Sequence, residues 1–561
     1  MSKKHLDWAV LCILAIGAGC GLVYEYLLSH YAGRVLGAVE EAIYGIISVM
    51  MIFMGIGSFL ARNIKNPFAG FAWLELCLAF IGASSVLLIG AVFSLAALFP
   101  QILAETFSIA PDLVPKGGLV ATAESIARWM PYLVAALLGV LIGMEIPLIG
   151  EIRSHIYHDK LKNNSGSIYG IDYLGAGVGA LLWVFLMLSL EVSFAGALTA
   201  SVNLLIGAVF FYIFRDKIPS ANYLLMGHVI VALWLLQVFS YGSDWAAKME
   251  DMLYRDKVVY HANTRYQHLV ITERITDPAK PSVLTFFING RTQFASNDEH
   301  IYHAMLTYPA LAASARHEKV LIIGGGDGLA ARDVLRWNPK QVLLLDVDSE
   351  LVELFKTPII EQGKVVNQRL IAANQNAFND KRVQTIFGDA FVTINDLIRD
   401  EQLFDTVIVD LPDPNHPDLN KLYSTRFYHK VFNLLAGDGA MVVQSTSPYH
   451  AKNTFVSIGK TIKYAGFKHV QQYHHNVPAF GEWGFSIATK NGLSARQRLQ
   501  NLTLWPVDDG WTTKGVILAA FEFGKNFYQQ TDEIKVNRLG SMVAYQYHHS
   551  DWQKEMGIYN K

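Results

Sequence analysis

The chain has 561 residues, of which 52% are hydrophobic and 17% charged, with a net charge of −2. The charged share lies below the roughly 25% of soluble domains, which argues against an all-soluble protein; without a long basic block, no nucleic-acid partner is expected. Cys12, Cys20 and Cys77 sit in apolar runs with neither metal-ligand spacing nor a disulfide framework, so no metal site is expected.

Charge is unevenly spread: residues 1–243 hold 26 of the 94 Asp, Glu, Lys and Arg residues, and residues 244–561 hold the other 68. The two parts are suited to different solvents. The predicted organisation is a multi-pass transmembrane domain (1–243), a linker and small β-module (244–315), a Rossmann-like domain (316–490) and a C-terminal extension (491–561).

Seven segments supply the roughly 20 apolar residues that a membrane-crossing helix needs. They are Trp8–Leu28, Ala42–Leu60, Phe71–Ile89, Met130–Ile149, Ile168–Leu190, Ser193–Phe214 and Tyr223–Tyr241. The first is too long for a signal peptide, lacks a small-residue cleavage site and is followed by six more, so it is expected to stay. Ala91–Phe107 is also apolar but carries Pro100 and Glu105. It extends the third helix, re-enters, or forms an eighth short span.

Basic residues collect at Lys3 and Lys4, at Arg62 and Lys65, at Arg153, Lys160 and Lys162, and at Arg215 and Lys217. The positive-inside rule puts these alternate connections in the cytoplasm and, with seven spans, delivers residue 244 onward to the outside. The chemistry of the second half requires the opposite. Glu25, Glu75, Glu145 and Asp172 fall within or near the spans, where a carboxylate is costly and a functional site is the default reading. The alternative is helix-to-helix glue, each carboxyl being protonated or paired with a neighbour such as Tyr24, His30 or Arg34. The small-residue run Gly175-Ala-Gly-Val-Gly-Ala180 predicts close helix packing.

From about Tyr260 the pattern changes to short β-rich runs. Tyr266–Thr272 and Ser282–Ile288, followed by Asn289-Gly290, read as a β-hairpin module. Lys319–Asp333 then runs from an apolar strand through Gly324-Gly-Gly-Asp-Gly328 into a helix, and Gln341–Asp346 is a second buried strand ending in an acid. This is a nucleotide-binding βαβ unit. Asp346 is placed to take hydrogen bonds from ribose hydroxyls. Asp327 stands where a pyrophosphate would be repelled, so a cationic ligand fits better. Further strands lead to Gly388-Asp389, where the acid can accept from an adenine amino group, and to Asp410-Leu-Pro-Asp413-Pro414. Strand-end acids of open α/β sheets gather at the ligand crevice.

On these residues, together with Tyr266-Gln267, Asn289-Gly290 through Gln293, Asp298-Glu299, Tyr302-His303, Asp348, Leu422-Tyr423 and Val477-Pro478 before Trp483, residues 255–490 resemble the polyamine aminopropyltransferase (spermidine synthase) family. Gly21-Leu-Val-Tyr-Glu25 and Gly143-Met-Glu-Ile-Pro-Leu148 resemble the major-facilitator-like domain of membrane-fused members. The resemblance implies transfer of an aminopropyl group from decarboxylated S-adenosylmethionine, as co-substrate and without a prosthetic group, to a polyamine, releasing methylthioadenosine. It implies Asp410 as the base, and Gln267, His303, Gly324, Asp327, Asp346 and Asp389 around the donor. Gln293, Tyr302 and Asp413 fall to the amine, membrane lipid surrounds the helices, and the chain is a homo-oligomer of at least two copies. Asp346, Leu329, Ala304 and Pro412 depart from the family pattern, which leaves the acceptor open. A polyamine transporter or sensor with a non-catalytic synthase-like domain is the alternative, motivated by the intramembrane acids. A methyltransferase using the intact donor is a third reading, against which Asp327 stands.

Overall fold

The structure is a computed structural model describing residues 3–36, 39–108, 117–157, 164–188, 190–219, 221–361 and 363–555. Lys160, Lys162 and the Arg34 side chain lie outside what is described. The chain divides into two compact units, Met1–Val258 and Val259–Lys561.

The first unit is helical: α1 (Lys3–Leu36), α2 (Val39–Ala61), α3 (Pro67–Phe107), α4 (Leu119–Tyr157), α5 (Asn164–Leu182), α6 (Val192–Phe214) and α7 (Ala221–Asp251). All seven are long and apolar enough, by length and composition, to cross a membrane. α5 runs into a π-helical turn, Trp183–Met187. Ala91–Phe107 extends the third helix: α3 continues through Pro100 for 41 residues, about 60 Å at 1.5 Å per residue and twice the hydrocarbon thickness. α4 likewise contains Pro131 and Pro147.

Small residues bring the helices together. A Cβ on Gly175 would lie 2.0 Å from Ala15 O, and one on Gly179 2.3 Å from Gly19 O, so this GxxxG pair packs α5 onto the backbone of α1. Gly57 and Gly143 do the same between α2 and α4. At one end, Arg153 is buried and paired with Asp7 at 2.6 Å, with a further bond to Asn164; Asn66 Nδ2 donates to Lys217 O at 3.0 Å. The basic connections of the sequence thus gather at a common end of the bundle wherever they are described.

The second unit opens with a four-stranded antiparallel sheet, β1 (Lys257–Asn263), β2 (His268–Arg274), β3 (Val283–Ile288) and β4 (Arg291–Ala295), in sequential order. Asn289 and Gly290, both with positive φ, turn β3 into β4. Next come α8 (Glu299–Ala313), β5 (Lys319–Gly324), α9 (Leu329–Leu335), β6 (Gln341–Asp346), α10 (Ser349–Lys356) and the two-residue strands β7 (Ile360–Glu361) and β8 (Lys364–Val365). They are followed by α11 (Gln368–Ala373), β9 (Val383–Phe387), α12 (Ala390–Arg399), β10 (Phe404–Asp410), α13 (Pro417–Asn420), α14 (Thr425–Leu434), β11 (Leu435–Gln444), α15 (Lys452–Tyr464), β12 (His469–Val477) and β13 (Gly481–Thr489). The extension adds α16 (Ala495–Gln500), α17 (Lys514–Ala519) and α18 (Val543–Glu555).

The main sheet has the order β12-β13-β11-β10-β5-β6-β9, with β11, β10, β5, β6 and β9 mutually parallel and β13 antiparallel. Buried on both faces, the central strands β5, β6 and β10 are near-continuous apolar runs. Alternate residues serve opposite cores: Ile322, Leu344 and Ile408 pack under α8 to α10, while Ile323, Leu345 and Val409 pack against α12, α14 and α15. The sequential order reverses between β5 and β10, and a doubly wound sheet binds its ligand in the crevice at that switch point.

Candidate active site

β5 and β10 leave the sheet side by side, with Asp410 in register with Gly324. Gly324 has φ +83°, and a Cβ there would meet Asp410 O at 1.9 Å, so only glycine permits this approach. A side chain on Gly326 would stand 2.9 Å from Asp346 Oδ2, and one on Gly325 3.4 Å from Asp410 Oδ2. Two strand-end carboxylates therefore face the glycine turn itself. A third follows in the turn: Asp327 Oδ1 accepts from Leu329 N at 2.9 Å at the start of α9. Its other oxygen has no hydrogen-bond partner among the described residues.

α8 supplies the groups that hold these acids. Tyr302 OH donates to Asp410 Oδ1 at 2.7 Å, and burial and the charge of Asp410 push its pKa well up, so Tyr302 remains a donor. His303 is buried, and its Nδ1 donates to Glu299 O at 2.8 Å and Glu299 Oε2 at 3.0 Å. Burial opposes a charge on His303, but the bond to Glu299 and the fields of Asp327, Glu299 and Asp410 outweigh it and raise its pKa to about 9. Burial raises Asp327 to about 6, opposed by His303 and reinforced by Asp410. Asp346 also reaches about 6, through burial and the neighbouring Asp348 and Asp327 charges, against a backbone hydrogen bond. Asp410 is raised by burial and by Asp346, with His303 and Tyr302 opposing.

Glu299 is anchored in turn. Arg332 reaches it with two nitrogens, at 2.7 and 3.0 Å, and binds Asp333 at 2.9 Å. Removing one partner of a buried ion-pair network leaves the others uncompensated, at a cost of about 3–5 kcal/mol. Arg332→Ala is accordingly expected to lower the apparent melting temperature of the second unit, followed by its tryptophan fluorescence. An unchanged melt would show the network to be dispensable.

The remaining expected residues are held further out. Gln267 Nε2 and Thr264 Oγ1 both donate to Asp348 Oδ2, at 2.8 and 2.7 Å, while Asp348 Oδ1 caps α10. Asp389 caps α12 through Phe391 N and pairs with Lys421 at 2.6 Å. Gln293 is half-buried and donates to Arg291 O at 3.3 Å. Asp413 accepts from Gln444 Nε2 at 3.2 Å and Thr446 Oγ1 at 3.0 Å, and meets His548 Nε2 at 3.1 Å. Burial would raise the Asp413 pKa, but the His548 contact and these hydrogen bonds lower it.

His548 comes from α18, so the C-terminal extension reaches an expected amine-binding residue. The same Nε2 lies 3.0 Å from Trp552 Nε1. It serves one neighbour at a time, donating to Asp413 when protonated and accepting from Trp552 when not. The sequence reading assigned no role to Arg332 or His548. Glu299 and His303 lie four apart, the spacing of one helix face, and Asp348 precedes Ser349-Glu350 as an N-cap does; both were legible. Arg332 and His548 carry no such local signal.

A glycine turn flanked by carboxylates at the switch point of a doubly wound sheet has the form of a nucleotide-type ligand crevice. Residues 299–499 match the Spermine/spermidine synthase domain. The polyamine aminopropyltransferase of Shewanella oneidensis is 51% identical over 98% of this chain and 96% of its own length, and that of Oceanobacillus iheyensis is 30% identical over 95% of each. A solved spermidine synthase in complex with the transition-state analogue AdoDATO matches with a TM-score of 0.41 and 22% identity, over 48% of this chain and 85% of its own. The chain belongs to the polyamine aminopropyltransferase family.

Proposed function

We propose that this is an integral-membrane aminopropyltransferase that moves the aminopropyl group of decarboxylated S-adenosylmethionine to an amine such as putrescine or spermidine and releases methylthioadenosine. The charge balance of the glycine turn supports it most directly. Asp327, Asp346 and Asp410 converge with His303 as their cationic neighbour, and two of the acids have pKa values raised to about 6. Such a site is short of positive charge. The decarboxylated donor brings a sulfonium and an ammonium, whereas intact S-adenosylmethionine adds a carboxylate.

In the reaction the acceptor nitrogen attacks the aminopropyl carbon beside sulfur. The new C–N bond forms as the C–S bond breaks, sulfur leaves neutral in methylthioadenosine, and the amine proton passes to Asp410. Tyr302 fixes the carboxylate through its 2.7 Å hydrogen bond, and alignment of nitrogen, carbon and sulfur supplies most of the rate. Asp413 takes the distal ammonium of the acceptor, in competition with His548. His548→Ala is expected to lower the KM for a diamine about tenfold, the order of a hydrogen bond to a charged group, and to leave the donor KM unchanged. Equal shifts in both would assign His548 a structural role instead.

The seven apolar helices support membrane insertion, with lipid around their exposed apolar faces. The donor assigns the catalytic unit to the cytoplasm, against the charge rule. A reporter fused after Lys561 is expected to be active inside the cell, and activity outside overturns this assignment.

Detergent-purified full-length protein, given decarboxylated or intact S-adenosylmethionine and a panel of polyamines, tests the whole reading. Methylthioadenosine, measured by mass spectrometry, is expected only with the decarboxylated donor and an amine. Release with the intact donor, or silence with every amine, overturns it.

A further inference from the structure

Five helices of the first unit converge on a polar cluster that the transfer reaction does not use. Glu75 on α3 and Glu145 on α4 are buried, at 0% and 2% exposure, whereas the other two acids of this region, Glu25 and Asp172, are half-buried. Asn203 on α6 donates its Nδ2 to Glu75 Oε2 at 2.8 Å. His228 on α7 donates from Nδ1 to Leu224 O at 2.9 Å; a carbonyl only accepts, so in the neutral ring Nε2 carries the lone pair.

Four acceptor atoms are left over. Glu75 Oε1, Glu145 Oε1, Asn203 Oδ1 and His228 Nε2 are all buried and without a hydrogen-bond partner among the described residues. Polar groups desolvated in this way cost free energy until something donates to them.

The groups share one neighbourhood. A Cβ added at Gly17 on α1 would lie 3.1 Å from Glu145 Oε2 and 3.6 Å from Glu75 Oε1; one at Gly207 would lie 3.0 Å from Glu75 Cβ and 3.4 Å from His228 Nε2. Both carboxylates therefore flank the same point on α1, which a residue without a side chain leaves uncrowded, and an ammonium group is the small cation that two such acids can share. It carries three N–H donors and a positive charge, the complement of four acceptor atoms that include two acids; the Tyr24 hydroxyl, buried near both carboxyls and without a hydrogen-bond partner among the described residues, brings a single O–H. Among the described residues, no three His, Cys, Asp or Glu side chains are disposed to hold a metal ion. Phe211, stacked on His228 with centroids 6.0 Å apart, offers a surface for methylenes.

We propose that Glu75, Glu145, Asn203 and His228 form a binding site inside the helical unit for the primary ammonium group of an aliphatic amine. Its residues all belong to the first unit, and it does not depend on the chemistry of the second. Its ligand class is that of the transferase's acceptors and products.

The test is equilibrium dialysis of radiolabelled putrescine against detergent-purified full-length protein, comparing the wild type with the Glu75→Gln/Glu145→Gln double variant and with Gly17→Ala. The double variant removes the charges at nearly constant volume; Gly17→Ala keeps both acids and sets a methyl group 3.1 Å from Glu145 Oε2, crowding the point the two acids share. Both are expected to bind one putrescine per chain fewer than the wild type while methylthioadenosine release is unchanged, which shows that the catalytic unit is intact. Equal stoichiometry in all three proteins overturns the site and leaves the carboxyls protonated or bridged by water.

Discussion

Asp410→Asn is expected to lower kcat by about 10²–10⁴-fold, the usual contribution of a positioned general base, with donor affinity changed far less. Asn has the shape of Asp and still accepts from Tyr302 through its side-chain oxygen, so the 2.7 Å contact survives. It takes up no proton. An acceptor amine is mostly protonated at neutral pH, and its lone pair becomes available only as the proton leaves. The environment of Asp410 suits that role: burial and the Asp346 charge raise its pKa while the positive His303 restrains the shift, so the carboxylate is more basic than in water. Single-turnover release of methylthioadenosine measures the chemical step apart from product release. A kcat within threefold of the wild type would remove Asp410 from proton transfer and leave the base to solvent.

What the sequence disclosed follows the range of the physics involved. The seven spans and the strand-end acids are local signals. A run of about 20 apolar residues is a helix in lipid whatever its neighbours, and Asp346 and Asp410 each close a buried apolar strand whose register carries them to the same edge. Helix ends were less legible. Ala91–Phe107 allowed an extension of the third helix, a re-entrant segment or an eighth span, and α3 takes the first, running on through Pro100 to Phe107; composition alone does not choose among the three. Contacts between distant parts of the chain left no trace. Asp413 and His548 are separated by 135 residues; the aromatic residues Trp505, Trp511, Phe521, Phe523 and Phe527 mark the extension as a packed cover for the cleft or the membrane domain, but nothing local singles out His548 as the residue that meets this carboxylate. Glu75 and Glu145 were visible as acids in apolar helices, but that two of four such acids share one buried point required the helices to be packed.

Asp327→Asn is expected to raise the KM for decarboxylated S-adenosylmethionine and to weaken discrimination against the intact donor. A hydrogen-bonded charge contact contributes about 1.5–3 kcal/mol, which corresponds to about 10–150-fold in donor kcat/KM. The two donors respond in opposite directions. The ammonium of the decarboxylated donor loses its partner, while the carboxylate of the intact donor loses a repulsion, so their ratio falls further than either value alone. The pH profile supplies an independent check. Asp327 is raised to about 6, first by burial and then by Asp410, against His303. Because the raised value belongs to the folded protein, the ionised form is less favourable there than in the unfolded chain. This carboxylate therefore lowers stability as pH rises from the ordinary carboxylate range through about 6. Donor binding has the opposite demand, since only the ionised group attracts an ammonium. Wild-type kcat/KM should then fall as pH drops below about 6, with more than one proton involved because Asp346 titrates in the same range. In the Asp327→Asn protein that limb should become shallower by one proton. An unaltered acid limb, or an unaltered preference between the two donors, would place Asp327 outside donor recognition and confine it to its cap on Leu329 N.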